Sequence, residues 1–180
     1  MREIIIKLPN WLNKECKQKT FSNDKEKMEF VINLTKINVE NGGGPFGAAI
    51  FSKTGKLISC GVNLVLQNRL SVLHAEIVAF LTAQTKLNTY DLSKIGDFEL
   101  FSSSEPCAMC LGACLWSGVK RVVFGAESSY AREIGFDEGP VFNESWEYLK
   151  RKGIKVEGSL LKEKAIEILH LYKNRNGIIY

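Results

Sequence analysis

Between Ser22-Asn23-Asp24 and Asn41, the positions Met28, Val31, Ile32, Thr35 and Val39 recur three and four residues apart. That spacing predicts a helix whose start is capped by the Ser-Asn-Asp run. Gly42-Gly43-Gly44 ends it, and Pro45 prevents its continuation. A phosphate loop would need a Lys-Ser/Thr pair opening a following helix, and none is present, so the glycines are expected to serve the helix end. Residues 46–51 and 57–66 read as two strands joined at Lys53-Thr54-Gly55-Lys56, a hairpin. The pattern is helical over 74–83, extended over 98–102, helical over 107–116 and extended over 121–124. A helix over about 145–153, a short strand at 155–156 and a last helix with Ala165, Ile168, Leu169 and Tyr172 on its apolar face complete the chain. Strands alternating with helices predict an α/β layered fold with some parallel pairing.

Composition narrows this picture only a little. At 180 residues, 45% hydrophobic and 24% charged, with a mean hydropathy of −0.07, the chain is that of one globular domain. No apolar run approaches the ~18 residues that span a bilayer. The opening Met1-Arg2-Glu3-Ile4-Ile5-Ile6-Lys7 has too short an apolar stretch, and no cleavage site, for a signal peptide. A cytoplasmic protein without membrane contact is expected. The net charge of +4 is too small to mark a nucleic-acid binder. Five cysteines is the unusual number, because an odd count cannot be fully paired. Cys16 and Cys60 stand apart and are expected to be small apolar core residues. Cys107, Cys110 and Cys114 crowd together and need a cause.

That cause is chemical. Cys107 and Cys110 are three residues apart behind Pro106, so both thiols face one side of a first helical turn. A helix N-terminus favours the thiolate that a metal requires. His74 adds an imidazole from another helix start, and two thiolates with one imidazole suit tetrahedral zinc. Three protein ligands leave a fourth position for water, and Glu76, two residues beyond His74, can take its proton without ligating the ion. A redox Cys-x-x-Cys pair would leave His74 and Glu76 unexplained. A structural site closed by Cys114 would have no use for Glu76, and Cys114 sits about 10 Å further along the helix than Cys107. Catalytic zinc is therefore expected, with Cys114 in the core.

His74-Ala75-Glu76 with Pro106-Cys107-Ala108-Met109-Cys110 is similar to the zinc motif of the cytidine deaminase superfamily. Gly43-Gly44-Pro45-Phe46, Asn63, Ser104-Glu105, Trp116-Ser117-Gly118, Gly135-Phe136-Asp137-Glu138-Gly139-Pro140 and Asn176-Gly177-Ile178-Ile179-Tyr180 extend the likeness. Together they resemble the purine-acting, bacterial guanine deaminase branch. The stretch from Ala83 to Ser93 also resembles a subgroup that accepts the aminotriazine ammeline. The resemblance implies a three-layer αβα fold, with a mixed five-stranded sheet and helices on both faces, over a single domain at 1–180. It implies Zn2+ on His74, Cys107 and Cys110, and hydrolytic deamination of guanine to xanthine and ammonia. Glu76 and Glu138 would be catalytic, with Glu138 accepting the adjacent N1–H and 2-amino donors of guanine. Asn63, Phe46, Ala75, Trp116 and Tyr180 would hold the substrate, Asn63 by its amide and the aromatics as walls.

The resemblance further implies a homodimer that exchanges a C-terminal segment of about 159–180, so that Tyr180 closes the partner's pocket. Plainer readings stand beside these: core packing for Phe46 and Trp116, an exposed turn carboxylate for Glu138 and a solvated end for the tail. Rival activities are a guanosine or cytidine deaminase and a tRNA adenosine deaminase. The last needs a basic RNA-binding surface that scattered Lys and Arg do not provide. A catalytically inactive zinc-binding module would have no chemical need for Glu76.

Overall fold

Asn23 opens the first long helix as the sequence predicts, its side chain accepting the Glu26 N–H at 3.0 Å while the Glu26 carboxylate accepts the Ser22 N–H at 2.9 Å. The computed structural model describes residues 3–180; Met1 and Arg2, where the no-leader expectation begins, lie outside the described residues. The elements are α1 (Asn10–Glu15), α2 (Asp24–Glu40), β1 (Gly47–Ser52), β2 (Leu57–Val62), α3 (Val65–Asn68), α4 (Ala75–Leu87) and β3 (Phe98–Ser104). There follow α5 (Ala108–Ser117), β4 (Arg121–Ala126), α6 (Ser128–Glu133), α7 (Asn143–Arg151), β5 (Lys155–Glu157) and α8 (Lys162–Asn174). Among the described residues no helix is long and apolar enough to cross a membrane.

The sheet runs β2-β1-β3-β4-β5, with β1 antiparallel to both neighbours and β3, β4 and β5 parallel. It is the mixed five-stranded sheet that the sequence leads one to expect, with helices on both faces. Alternate residues of each strand feed two cores. Ala49, Phe51, Phe101 and Val123 pack with α2 and α8, and Ala48, Ile50, Leu100 and Val122 pack with α4, α5 and Leu149 of α7.

The second strand is shorter than its apolar run predicts. At Asn63 the side-chain Oδ1 accepts the Val65 N–H at 3.2 Å, turning the chain into α3. The short α1, α3 and α6 escaped the periodicity altogether, since one or two turns carry too few apolar repeats. Cys16 and Cys60 correct the sequence reading. They are not separate apolar thiols but a disulfide with Cα atoms 5.8 Å apart, tying the end of α1 to β2. Cys114 is a fully buried free thiol, as expected.

A buried charge fastens the far end of the sheet. Lys27, 5% exposed, points from α2 to Glu99 of β3 at 2.9 Å, with its ammonium 5.1 Å above the Phe101 ring. Arg121 of β4 joins them, bonding Asp24 and Glu157 at 2.6 Å each. Removing Lys27 leaves Glu99 largely buried with only a 3.6 Å contact to Arg121. Lys27→Ala is expected to cost about 3 kcal/mol, read as a lower urea midpoint with unchanged slope.

Candidate active site

The register of the sheet brings the chemistry together. Gly47 pairs with Val62, Ala48 with Ser102, and Ser104 with Ala126. The start of β1 therefore lies at the same sheet end as the last residues of β2, β3 and β4. Phe46, Asn63, Glu105 and the loop carrying Glu138 all emerge there. Next to them α4 and α5 begin, with His74 and Cys107 in the residue just before each helix. Gly61 lets α4 lie close on β2, because a β-carbon there would overlap the Ala75 carbonyl and the Ala79 amide.

The ligand atoms of His74, Cys107 and Cys110 lie within 4.8 Å of one another, and Cys107 Sγ is 3.4 Å from His74 Nδ1. Zinc bonds of about 2.0–2.3 Å place tetrahedral ligands about 3.5–4 Å apart. The triad fits such an ion in both spacing and donor chemistry. The neighbouring Cys110 side chain, with His74 assisting, holds the Cys107 thiol down at about 4 against burial. The contact with Cys107, then burial, pushes the Cys110 thiol up. Burial pulls His74 down, but its bond to Cys107 and the nearby Glu76 charge prevail and raise it.

Glu76 is 6% exposed in the first turn of α4. Its Oε1 accepts from Ser102 Oγ at 3.2 Å and its Oε2 from the Cys110 thiol at 3.4 Å. Burial, then the negative Cys107, raise its pKa. Glu138, 7% exposed, is not the solvated turn residue of the plainer reading. Its carbonyl accepts the Ala108 N–H at 3.0 Å, bolting the loop to the start of α5. Arg132 braces the same loop, donating to the Gly139 carbonyl at 2.7 Å and pairing with Asp137 at 3.5 Å. Burial foremost, with Cys107 and Glu76 adding, pushes the Glu138 carboxyl up to about 8.

His74, Glu76, Cys107 and Glu138 line one cavity of about 50 Å3 with Phe46, Glu105, Phe136, Asp137 and Tyr180. Phe46 meets Phe136 edge-on at 5.0 Å, and Phe136 meets Tyr180 at 5.2 Å. Asn63 is fully buried beside it; its Oδ1 and the Tyr180 hydroxyl both border Gly44. Asn63 is not part of that lining, but its Nδ2 is one of two buried side-chain polar atoms among the described residues without a hydrogen-bond partner. Ala75 is fully buried between His74 and Glu76.

The structure does not bring Trp116 to the cavity. It lies about 200° around α5 from the inward Cys114, is 76% exposed, and covers Gly112 on the outer face. Phe136, Ser102 and Arg132 were given no role from sequence. Phe136 belongs to the Gly135–Pro140 stretch, while the other two have no local signal. Tyr180 reaches the pocket of its own chain, with the tail pinned where the Tyr172 hydroxyl donates to the Ile178 carbonyl at 2.6 Å.

The family model for the cytidine and deoxycytidylate deaminase zinc-binding region matches residues 21–126. Among curated relatives, the guanine deaminase of Bacillus subtilis is 42% identical over 102 residues, 57% of this chain and 63% of that protein. The chain thus matches somewhat under two thirds of that relative's length. Among solved structures, the guanine deaminase from Nitrosomonas europaea superimposes with a TM-score of 0.93 at 39% identity, over 96% of this chain and 97% of that one. A structure solved in complex with 2,6-diaminopurine gives a TM-score of 0.93 at 41% identity, over 98% of this chain and 95% of that one.

Proposed function

Because the chain belongs to the cytidine and deoxycytidylate deaminase zinc-binding family, we propose that it hydrolyses guanine to xanthine and ammonia, with aminotriazines such as ammeline as further substrates. It is a zinc-dependent hydrolase, and the likeness to guanine deaminases supports this choice within the family. The observation that carries the proposal is a second buried carboxyl, Glu138, lining the same cavity as Glu76 and the metal ligands.

His74, Cys107 and Cys110 would hold the zinc, which when bound would supply Lewis acidity that lowers the pKa of water toward about 7. Glu76 takes one proton from water and delivers it to the ring nitrogen, then takes the second from the added hydroxyl as the carbonyl forms and delivers it to the departing amine. Guanine and water give xanthine and ammonia, so Glu76 ends each turnover as it began. Glu138 accepts N1–H and the 2-amino group in a fork. Asn63 supplies its spare Nδ2 donor to an acceptor on the base, and Phe46 packs against the ring.

A cavity of about 50 Å3 holds one or two waters, so it widens for the base to enter. In a single chain the tail ending in Tyr180 completes its own site. A homodimer with exchange of the segment at about 159–180 is tested by mass: light scattering at micromolar concentration gives twice the chain mass if it forms and the monomer mass if it does not.

The expected outcome for substrate is ammonia release from guanine, and from ammeline, well above that from guanosine, adenine or cytidine. Zinc-loaded protein that releases none from guanine or ammeline would sink the proposal. Release from adenosine in a tRNA anticodon loop, with guanine inert, would favour the RNA-acting reading instead.

A further inference from the structure

Asn38 sits near the end of α2, 1% exposed, in a region where helix neighbours are apolar. A buried amide must find partners, and this one finds them in two loops of the pocket. Its Nδ2 donates to the Gly44 carbonyl at 2.9 Å and to the Asn63 carbonyl at 3.0 Å, one hydrogen to each. The Asn38 carbonyl accepts the Gly43 N–H at 2.8 Å, so the glycine turn folds back on the same residue. Gly43 has to be glycine, because a β-carbon there would overlap the Asn38 amide.

Asn63 is held on its other side as well, its N–H donating to the Phe46 carbonyl at 3.0 Å. Its Oδ1 is taken by the Val65 N–H, and only its Nδ2 is left without a partner. A buried orphan donor is unfavourable and would escape by rotation or loop movement unless its frame were fixed. Asn38 fixes that frame from outside the cavity.

We infer that Asn38 is a positioning residue for substrate recognition: it clamps the Gly44 and Asn63 backbones together so that the Asn63 amide faces the base. The inference rests on the proposed role of Asn63 and goes beyond it by naming what sets its geometry. Asn38 touches no substrate and acts through Asn63. Its loss therefore weakens guanine binding, leaves the zinc triad intact, and matters little once the Asn63 amide is gone.

The test is a double-mutant cycle with guanine kinetics and zinc content. Asn38→Ala is expected to lower kcat/KM about 10- to 100-fold, mostly through KM, with zinc retained. The same change made in Asn63→Ala protein is expected to cost less than about threefold more. An equal factor in both backgrounds, or undiminished efficiency in Asn38→Ala alone, overturns the inference. If Asn38→Ala does not fold, Gly43→Ala displaces the same amide by one methyl group and is read in the same cycle against the same outcomes. Unaltered guanine turnover in Asn63→Ala alone overturns the substrate role of Asn63, and the inference with it. Additivity overturns only the inference.

Discussion

Glu76→Gln protein is expected to bind zinc at one ion per chain and to release ammonia from guanine at least about 10³-fold more slowly than the parent. The substitution is nearly isosteric. A glutamine oxygen still accepts from Ser102 Oγ, and the backbone start of α4 is untouched. What disappears is the ability to carry the two protons of water in turn, one to the ring and one to the leaving amine. No neighbour replaces it: Ser102 is a hydroxyl already spent on Glu76, and Glu138 is engaged by the substrate's edge. Stability moves the other way or not at all, because a buried carboxyl whose environment resists ionisation is exchanged for a neutral amide. A melting temperature at or above that of the parent, with zinc present and turnover gone, separates catalysis from folding. Turnover within tenfold of the parent would remove Glu76 from the proton path.

The zinc ligands and Glu76 were legible because their geometry is local. Two cysteines three apart behind a proline define a face before any tertiary contact forms, and His74 and Glu76 share one turn. The layered fold was legible for a related reason: strand and helix periods differ, and the long elements carry several repeats of each. Asn38 was not legible. It looks like a polar residue near a helix end, and its meaning lies in carbonyls 6 and 25 residues away that only the folded chain brings to it. Ser102 and Arg132 are similar, acting on Glu76 and on the Glu138 loop through space. The Cys16 and Cys60 pairing is the same failure in another form, since 44 residues separate two thiols that each look like ordinary core. The expectation for Trp116 failed by angle alone: its helix carries the ligand side inward, and Trp116 sits on the other side.

Glu138→Gln is expected to lower kcat/KM for guanine by about 10²–10³-fold while sparing zinc and fold. A carboxylate offers two acceptors to the N1–H and 2-amino donors of guanine. Those donors favour its ionised form on binding, against the burial that pushes the carboxyl up to about 8. Glutamine offers one acceptor and one NH2 donor, so one donor of guanine meets another donor in a pocket with little water to rescue it. The backbone bond to Ala108 and the Arg132 brace involve main-chain carbonyls and Asp137, so the loop itself stays in place. The same swap improves the match to a base that presents an acceptor beside an amine, as cytosine does at N3 and its 4-amino group. The ratio of guanine to cytosine efficiency is therefore expected to fall further than guanine efficiency alone. An equal loss on both bases would place Glu138 in the chemistry common to all amino-bases rather than in reading the edge of one.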